Sequence, residues 1–172
     1  MERVVITGMG AVTPIGNTAD EYWDGLLAGK NGIGRITRFD TEGFKACVAG
    51  EVKDFDETAY IEKKEAKHMD RNCHFALAAA AQAVAQAGLT EGSFDPFRAG
   101  ALIGSGVGGI QVVSDEVAKL QERGPRRVSP FCIPMMIGNM AAAHVSMAHG
   151  LKGSSFAPVS ACASGTHAVG EG

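Results

Sequence analysis

The run Ser160, Ala161, Cys162, Ala163, Ser164, Gly165, Thr166, His167 holds the residues best suited to covalent chemistry. A strand pattern, Phe156–Ala161, leads into it, and a helix pattern opens at Cys162. A cysteine at such a junction lies beside unpaired backbone N–H groups and the positive end of a helix. Both favour the thiolate, which is the nucleophilic form. Ala163, Ser164 and Gly165 keep the first turn narrow, so a bulky substrate has room to approach. The helix end supplies about 0.3–1 kcal/mol, or about 2 in partly buried cases, so full activation needs a further partner. His167 is a poor choice for that partner. It lies about 500° further around a helix, roughly 140° off the cysteine's face. The alternative reading makes Cys162 a small buried hydrophobe, a frequent place for free cysteine.

A second candidate is Gly104–Gly109, which satisfies G-x-G-x-x-G between an expected strand, Ala99–Ile103, and an expected helix, Val112–Glu122. A dinucleotide fingerprint also needs an acidic residue about 20 positions on, at the end of the next strand. Glu122 has the separation but falls on a helix, and no strand pattern follows until after residue 150. The preferred reading is a glycine turn that lets backbone pack close to a catalytic centre. A nucleotide-binding module using Gly104–Gly109 stays as the alternative. A third feature is cationic: Lys63, Lys64, Lys67, His68 and Arg71 form one group, and Arg123, Arg126 and Arg127 another. Such runs are commonly solvated faces; the sharper reading is an acidic protein partner. His74, His144 and His149 show no metal-ligand spacing, and Cys47, Cys73 and Cys132 read as structural.

These residues need elements to position them. Arg3–Thr7 reads as a buried strand, followed by the glycine-rich turn Gly8–Gly16. Thr18 and Glu21 form a capping box, so a helix starts there, with Tyr22, Trp23, Leu26 and Leu27 on its core face and Gly29 as its stop. A weak strand is expected near Ala46–Val52. Met69–Ala87 is a strong helix, with eight alanines between Ala76 and Ala87 and Gly88 after it. Pro134 opens a Met- and Ala-rich helix that ends before Gly150. Strand, glycine turn and helix recur, which argues for an α/β fold with a largely parallel sheet.

Composition bounds the function. The chain has 172 residues, 45% hydrophobic and 20% charged, which suits a globular protein and not a disordered one. Its formal charge of −3 excludes an overall basic nucleic-acid binder. No apolar run reaches the roughly 18–20 residues of a membrane helix, and no signal peptide is visible. Four cysteines without a C-x-x-C pair suggest reduced thiols and a cytoplasmic setting. The last helix pattern has barely begun at Glu171 and Gly172, so the chain reads as the front portion of a larger fold.

Several segments together resemble the β-ketoacyl-acyl carrier protein synthases, and most nearly the elongating type II enzymes of fatty-acid synthesis. They are Val4–Gly16, Met69–Arg71, Gly104–Gly109, Val128–Phe131 with Pro134, Asn139–Ala142 and Ala161–Ala168. The resemblance implies a thiolase-like α/β fold, layered αβαβα, of which residues 1–172 cover most of the N-terminal half, truncated inside the nucleophile helix. It implies a homodimer and no cofactor or metal. It implies a decarboxylating Claisen condensation of acyl- with malonyl-acyl carrier protein through a thioester on Cys162, whose backbone N–H is one oxyanion donor. Lys64, Lys67, His68, Arg126 and Arg127 match carrier-docking positions, and Val107 and Cys132 match positions that line the acyl pocket. Both pocket residues are modest in size, so medium to long saturated chains are expected to fit. Docking through His68, where the family often has Lys or Arg, is expected to depend on pH. The family's two active-site histidines, the lysine near them and the second oxyanion donor belong to the other half. The chain alone is therefore expected to be inactive and poorly folded. Two departures stand out: Ser154 replaces a proline common in the family, and Pro158 falls within the expected strand. Polyketide ketosynthase, thiolase and a non-catalytic polyketide subunit are the nearby alternatives, the last disfavoured by Cys162.

Overall fold

The structure is a computed structural model and describes residues 3–172. Two compact units divide it, Met1–Asp56 with Ala78–Gly88, and Glu57–Leu77 with Leu89–Gly172.

In the first unit, α1 (Ala19–Leu27) starts where Thr18 and Glu21 predict. Thr18 Oγ1 accepts from the Glu21 N–H at 3.1 Å, and the Glu21 carboxylate reaches one residue further back, to the N–H of Asn17 at 2.7 Å. The helix closes at Gly29, whose φ of +64° allows its N–H to reach Leu26 O and that of Lys30 to reach Gly25 O. The expected core face is corrected. Trp23, Leu26 and Leu27 are exposed and Tyr22 borders on it, while Gly25 is the buried residue and packs on Ile15. A small residue at the contact lets the helix seat closely, and the 3.6-residue period then turns the large side chains outward.

The expected strand Arg3–Thr7 is also corrected: these residues have no strand pairing, and Val4, Val5 and Ile6 are exposed. β-branched residues favour an extended chain, but a strand needs a partner ladder. The following segment instead lies along α3 (Arg71–Gln86). Gln86 and Gln82 side chains accept from the N–H groups of Met9 and Ala11. A Cβ on Gly10 would overlap the carbonyl of Ala79, so glycine here permits contact between backbones. The weak strand is real but short: β2 (Val48–Gly50) pairs antiparallel with β1 (Ile33–Arg35), Gly34 opposite Ala49, and β1 had no clear sequence signal. Beyond β1 the Glu51 carboxylate accepts from Thr37 Oγ1 and from the N–H groups of Thr37 and Arg38, which holds it below its usual range.

In the second unit, β3 (Ala101–Leu102) and β4 (Ser155–Phe156) pair in parallel, the direction expected. β4 is shorter than Phe156–Ala161, so Pro158 lies outside the ladder and removes no donor from it. Ser154 still contributes through its carbonyl, which accepts from the Ala101 N–H at 3.0 Å. α4 (Ile110–Arg123) runs to Gly124, as predicted. The Met- and Ala-rich helix is two helices, α5 (Cys132–Met136) and α6 (Met140–Ala148), separated at Ile137–Asn139. Ile137 is extended, and the Gly109 N–H bonds Met136 O at 2.9 Å, so the glycine turn occupies the break. α6 packs on both strands and α7 (Ser164–Glu171) on β3. Val112, Ala101, Ala141, Ala142 and Val145 form the core here, together with Ile61, Leu77 and Cys73. Among the described residues no helix is long and apolar enough to cross a membrane.

Candidate active site

The site is built on a single turn of the second unit. After β4 the chain runs irregularly to Ser160, makes a 3-10 turn over Ala161–Ala163, and enters α7. Ala161 has φ +50°, a left-handed conformation that costs a non-glycine residue about 1–2 kcal/mol. Ser164 holds it there. This side chain is buried, its Oγ donates to the Ala161 carbonyl at 2.8 Å and accepts from the Ser160 N–H at 2.9 Å. The Ala163 N–H adds a bond to Ser160 O at 3.0 Å. The result is a pinned bend with Cys162 at its outer side, exposed and free.

Cys162 is exposed in this chain, where the alternative reading made it a small buried hydrophobe. That fate belongs to Cys73, 1% exposed, whose thiol is pushed up to about 11 by burial and by Asp70. Cys47 and Cys132 are half-buried. The His167 ring is engaged elsewhere on the bend, its Nδ1 meeting Ser160 Oγ at 2.7 Å.

Gly104–Gly109 packs against this bend. A Cβ on Gly104 would overlap the carbonyl of Ser164, and one on Gly106 would lie 3.8 Å from Ala161 Cα. The missing side chain at Gly104 thus serves close packing on the cysteine bend, and among the described residues no strand with an acidic end follows α4. The nucleotide fingerprint fails on both counts. Asp70 supports the far end of the turn. Its carboxylate accepts from the Val112 N–H at 3.4 Å, in the first turn of a helix whose own N-cap, Gly109, has no side chain to offer.

Val107 lies on the glycine turn and is 67% exposed, while Cys132 is the first residue of α5. Lys64 lies in the short helix α2 (Lys63–Ala66), with Lys67 capping it and His68 following; all three are exposed. Arg126 and Arg127 are exposed on the 3-10 turn Pro125–Arg127. The structure joins the surroundings of these two groups through His68, whose ring stacks on Phe131 with centroids 4.1 Å apart. A cleft of about 620 Å³ in the first unit, lined by Ile15, Asn17, Asp24, Lys30 and Asp54 among others, includes none of these residues. Among the described residues no group of three or more His, Cys, Asp or Glu is placed to hold a metal ion. Sequence reasoning missed two members of the site, Ala161 as the strained residue and Ser164 as its staple; neither has a local signal, since both roles depend on the bend itself.

Residues 1–171 match the family described as "Beta-ketoacyl synthase, N-terminal domain". The chain is 50% identical over 170 residues to 3-oxoacyl-[acyl-carrier-protein] synthase 2 of Synechocystis sp., covering 99% of this chain and 41% of that protein. It is 48% identical over 172 residues to the protein of the same name from Staphylococcus aureus, with the same coverage. The chain therefore spans about 41% of the length of these relatives. Among solved structures, a β-ketoacyl synthase from Burkholderia phymatum superposes with a TM-score of 0.80 at 31% identity, covering 99% of this chain and 42% of that one. A type II polyketide ketosynthase, solved in complex with its acyl-carrier protein, gives 0.82 at 24% identity over 99% of this chain and 45% of that one, a likeness of fold alone. The fold is thus the thiolase-like fold of the ketosynthases, and the chain belongs to the β-ketoacyl synthase family, in its N-terminal domain.

Proposed function

We propose that residues 1–172 form most of the N-terminal half of a condensing acyltransferase that elongates fatty acids on acyl carrier protein. The exposed Cys162, held on a strained bend at the head of α7, carries this reading. The Cys162 thiolate attacks the thioester carbonyl of acyl-acyl carrier protein, and the carrier leaves as its thiolate, which takes a proton from solvent. Malonyl-acyl carrier protein then loses carbon dioxide. The resulting carbanion attacks the Cys162 thioester, and collapse of the tetrahedral intermediate releases 3-oxoacyl-acyl carrier protein and regenerates the cysteine. The Cys162 backbone N–H is one donor to the oxyanion. The family's two histidines, the lysine near them and the second oxyanion donor belong to the remaining part of the enzyme, which makes a homodimer in the cytoplasm. No cofactor enters this scheme.

Val107 and Cys132 border the acyl chain, and Lys64, Lys67, His68, Arg126 and Arg127 receive the acidic carrier. Identity of 48–50% to proteins named 3-oxoacyl-[acyl-carrier-protein] synthase 2 favours this over a polyketide ketosynthase, where identity to the type II polyketide example is 24%. The test is kinetic. In the intact enzyme Cys162→Ala abolishes condensation, and a loss smaller than about tenfold, or about 1.4 kcal/mol in barrier, contradicts the assignment.

A further inference from the structure

Glu116 is buried although it carries a carboxylate. It sits on α4, which packs against both the 3-10 turn Pro125–Arg127 and α5. A carboxylate withdrawn from water has to be met by donors. Two meet this one: Lys119 Nζ donates to Oε1, and the Ser129 backbone N–H donates to Oε2 at 2.7 Å. Lys119 first, and then Ser129, hold the carboxyl below its usual range. Lys119 is a neighbour on the same helix, so that bond fixes nothing beyond α4.

The bond to Ser129 reaches a segment that lies outside any helix. Ser129 in turn sets the start of α5. Its Oγ accepts from the Phe131 N–H at 3.1 Å, and its carbonyl accepts from the Cys132 N–H at 3.0 Å. Phe131 carries the His68 ring. One carboxylate on α4 therefore fixes a stretch of backbone that serves both the basic docking group and the residue assigned to the acyl pocket.

We propose that Glu116 is a positioning residue, whose carboxylate anchors Ser129 so that the Phe131–His68 pair and Cys132 hold a fixed place relative to α4. The role of these residues in docking and acyl binding rests on the function proposed above; the anchoring itself does not. The test is alkylation of Cys132 in the intact protein carrying this chain, read cysteine by cysteine by mass spectrometry. Cys73, 1% exposed, reports any general unfolding. Glu116→Ala is expected to speed Cys132 labelling by about tenfold with Cys73 still protected, as loss of a charged hydrogen bond opens a local segment. Glu116→Gln keeps an oxygen that accepts from Ser129 and is expected to return the rate to within about twofold. Lys119→Ala, which leaves the Ser129 bond in place, is expected to stay within about twofold as well. In a turnover assay Glu116→Ala is expected to raise KM for the acyl-carrier substrate about tenfold and change kcat less than about twofold.

A parental Cys132 rate in Glu116→Ala with Cys73 protected overturns the proposal. So does a Lys119→Ala effect equal to that of Glu116→Ala, whereas an unchanged KM in a Glu116→Ala protein that turns over counts against the docking and acyl-binding roles and not against the anchor. If Glu116→Ala also opens Cys73, Glu116→Asp decides, because it keeps the charge but draws the carboxylate back by about 1.5 Å. Faster Cys132 labelling is then the expected result, and a parental rate the overturning one. Labelling needs no catalysis, so an absence of turnover counts against the condensing activity and not against the anchor.

Discussion

At the scale of the residue, side-chain chemistry was readable where it depends on type and hidden where it depends on surroundings. Cys162 was legible as a candidate from its type and its small neighbours, but its exposure was not, because the same residues also fit a small buried hydrophobe. The left-handed Ala161 was not, since alanine gives no hint of positive φ. Glu116 was not either, because a glutamate on an amphipathic helix reads as solvent-facing, and only the folded chain shows the donors around it. His144 gives a prediction at this scale. It is half-buried on α6, and burial pushes its imidazole below the ordinary value of 6.5, with Glu65 acting against that and His74 adding to it. A lowered value means that the folded state prefers the neutral ring and the unfolded state binds the proton more readily. Stability from this site is therefore complete above pH 6.5 and is lost as pH falls through the lowered folded value. The denaturant midpoint should fall between about pH 7.5 and about pH 5.5, and His144→Asn should flatten that fall. An equal slope in the variant would remove the histidine as the cause.

Elements follow local rules at their ends and tertiary rules in their faces. The Thr18 cap, the Gly29 stop and the limits of α4 agree with sequence because each depends on a few neighbouring residues. The strand expected at Arg3–Thr7 and the outward side chains of α1 disagree because pairing and facing are set by distant parts of the chain. The break between α5 and α6 belongs to the same class, since the glycine turn that fills it comes from far earlier in the sequence. Gly104→Ala tests how closely that turn is packed. The added methyl meets the Ser164 carbonyl, so the substitution should destabilise the second unit by about 1–3 kcal/mol and slow Cys162 acylation. Chemical denaturation and acylation rate read the two effects. A variant with parental values in both would show that the contact is loose.

At the scale of the molecule, family membership was legible because its motifs run in order along the whole chain, and the match over residues 1–171 agrees. Charge was legible only in part. The chain carries a net −3, yet Lys64, Lys67, Arg126 and Arg127 are exposed, and the contact of His68 with Phe131 became visible only after folding. If these cations receive an acidic carrier, KM for the carrier should rise with ionic strength, because exposed charge attraction is screened within about 8 Å at physiological salt. Arg127→Glu should raise KM and weaken that salt dependence while leaving kcat near parental. A KM insensitive to salt would place docking elsewhere.

The central claim is that the Cys162 sulfur bears the acyl group. The most direct measurement incubates the intact enzyme with acyl-acyl carrier protein and maps the modified peptide by mass spectrometry. One acyl adduct on Cys162, absent from Cys162→Ala, is the predicted result. An unmodified Cys162, with turnover intact or with the adduct on another residue, would contradict it.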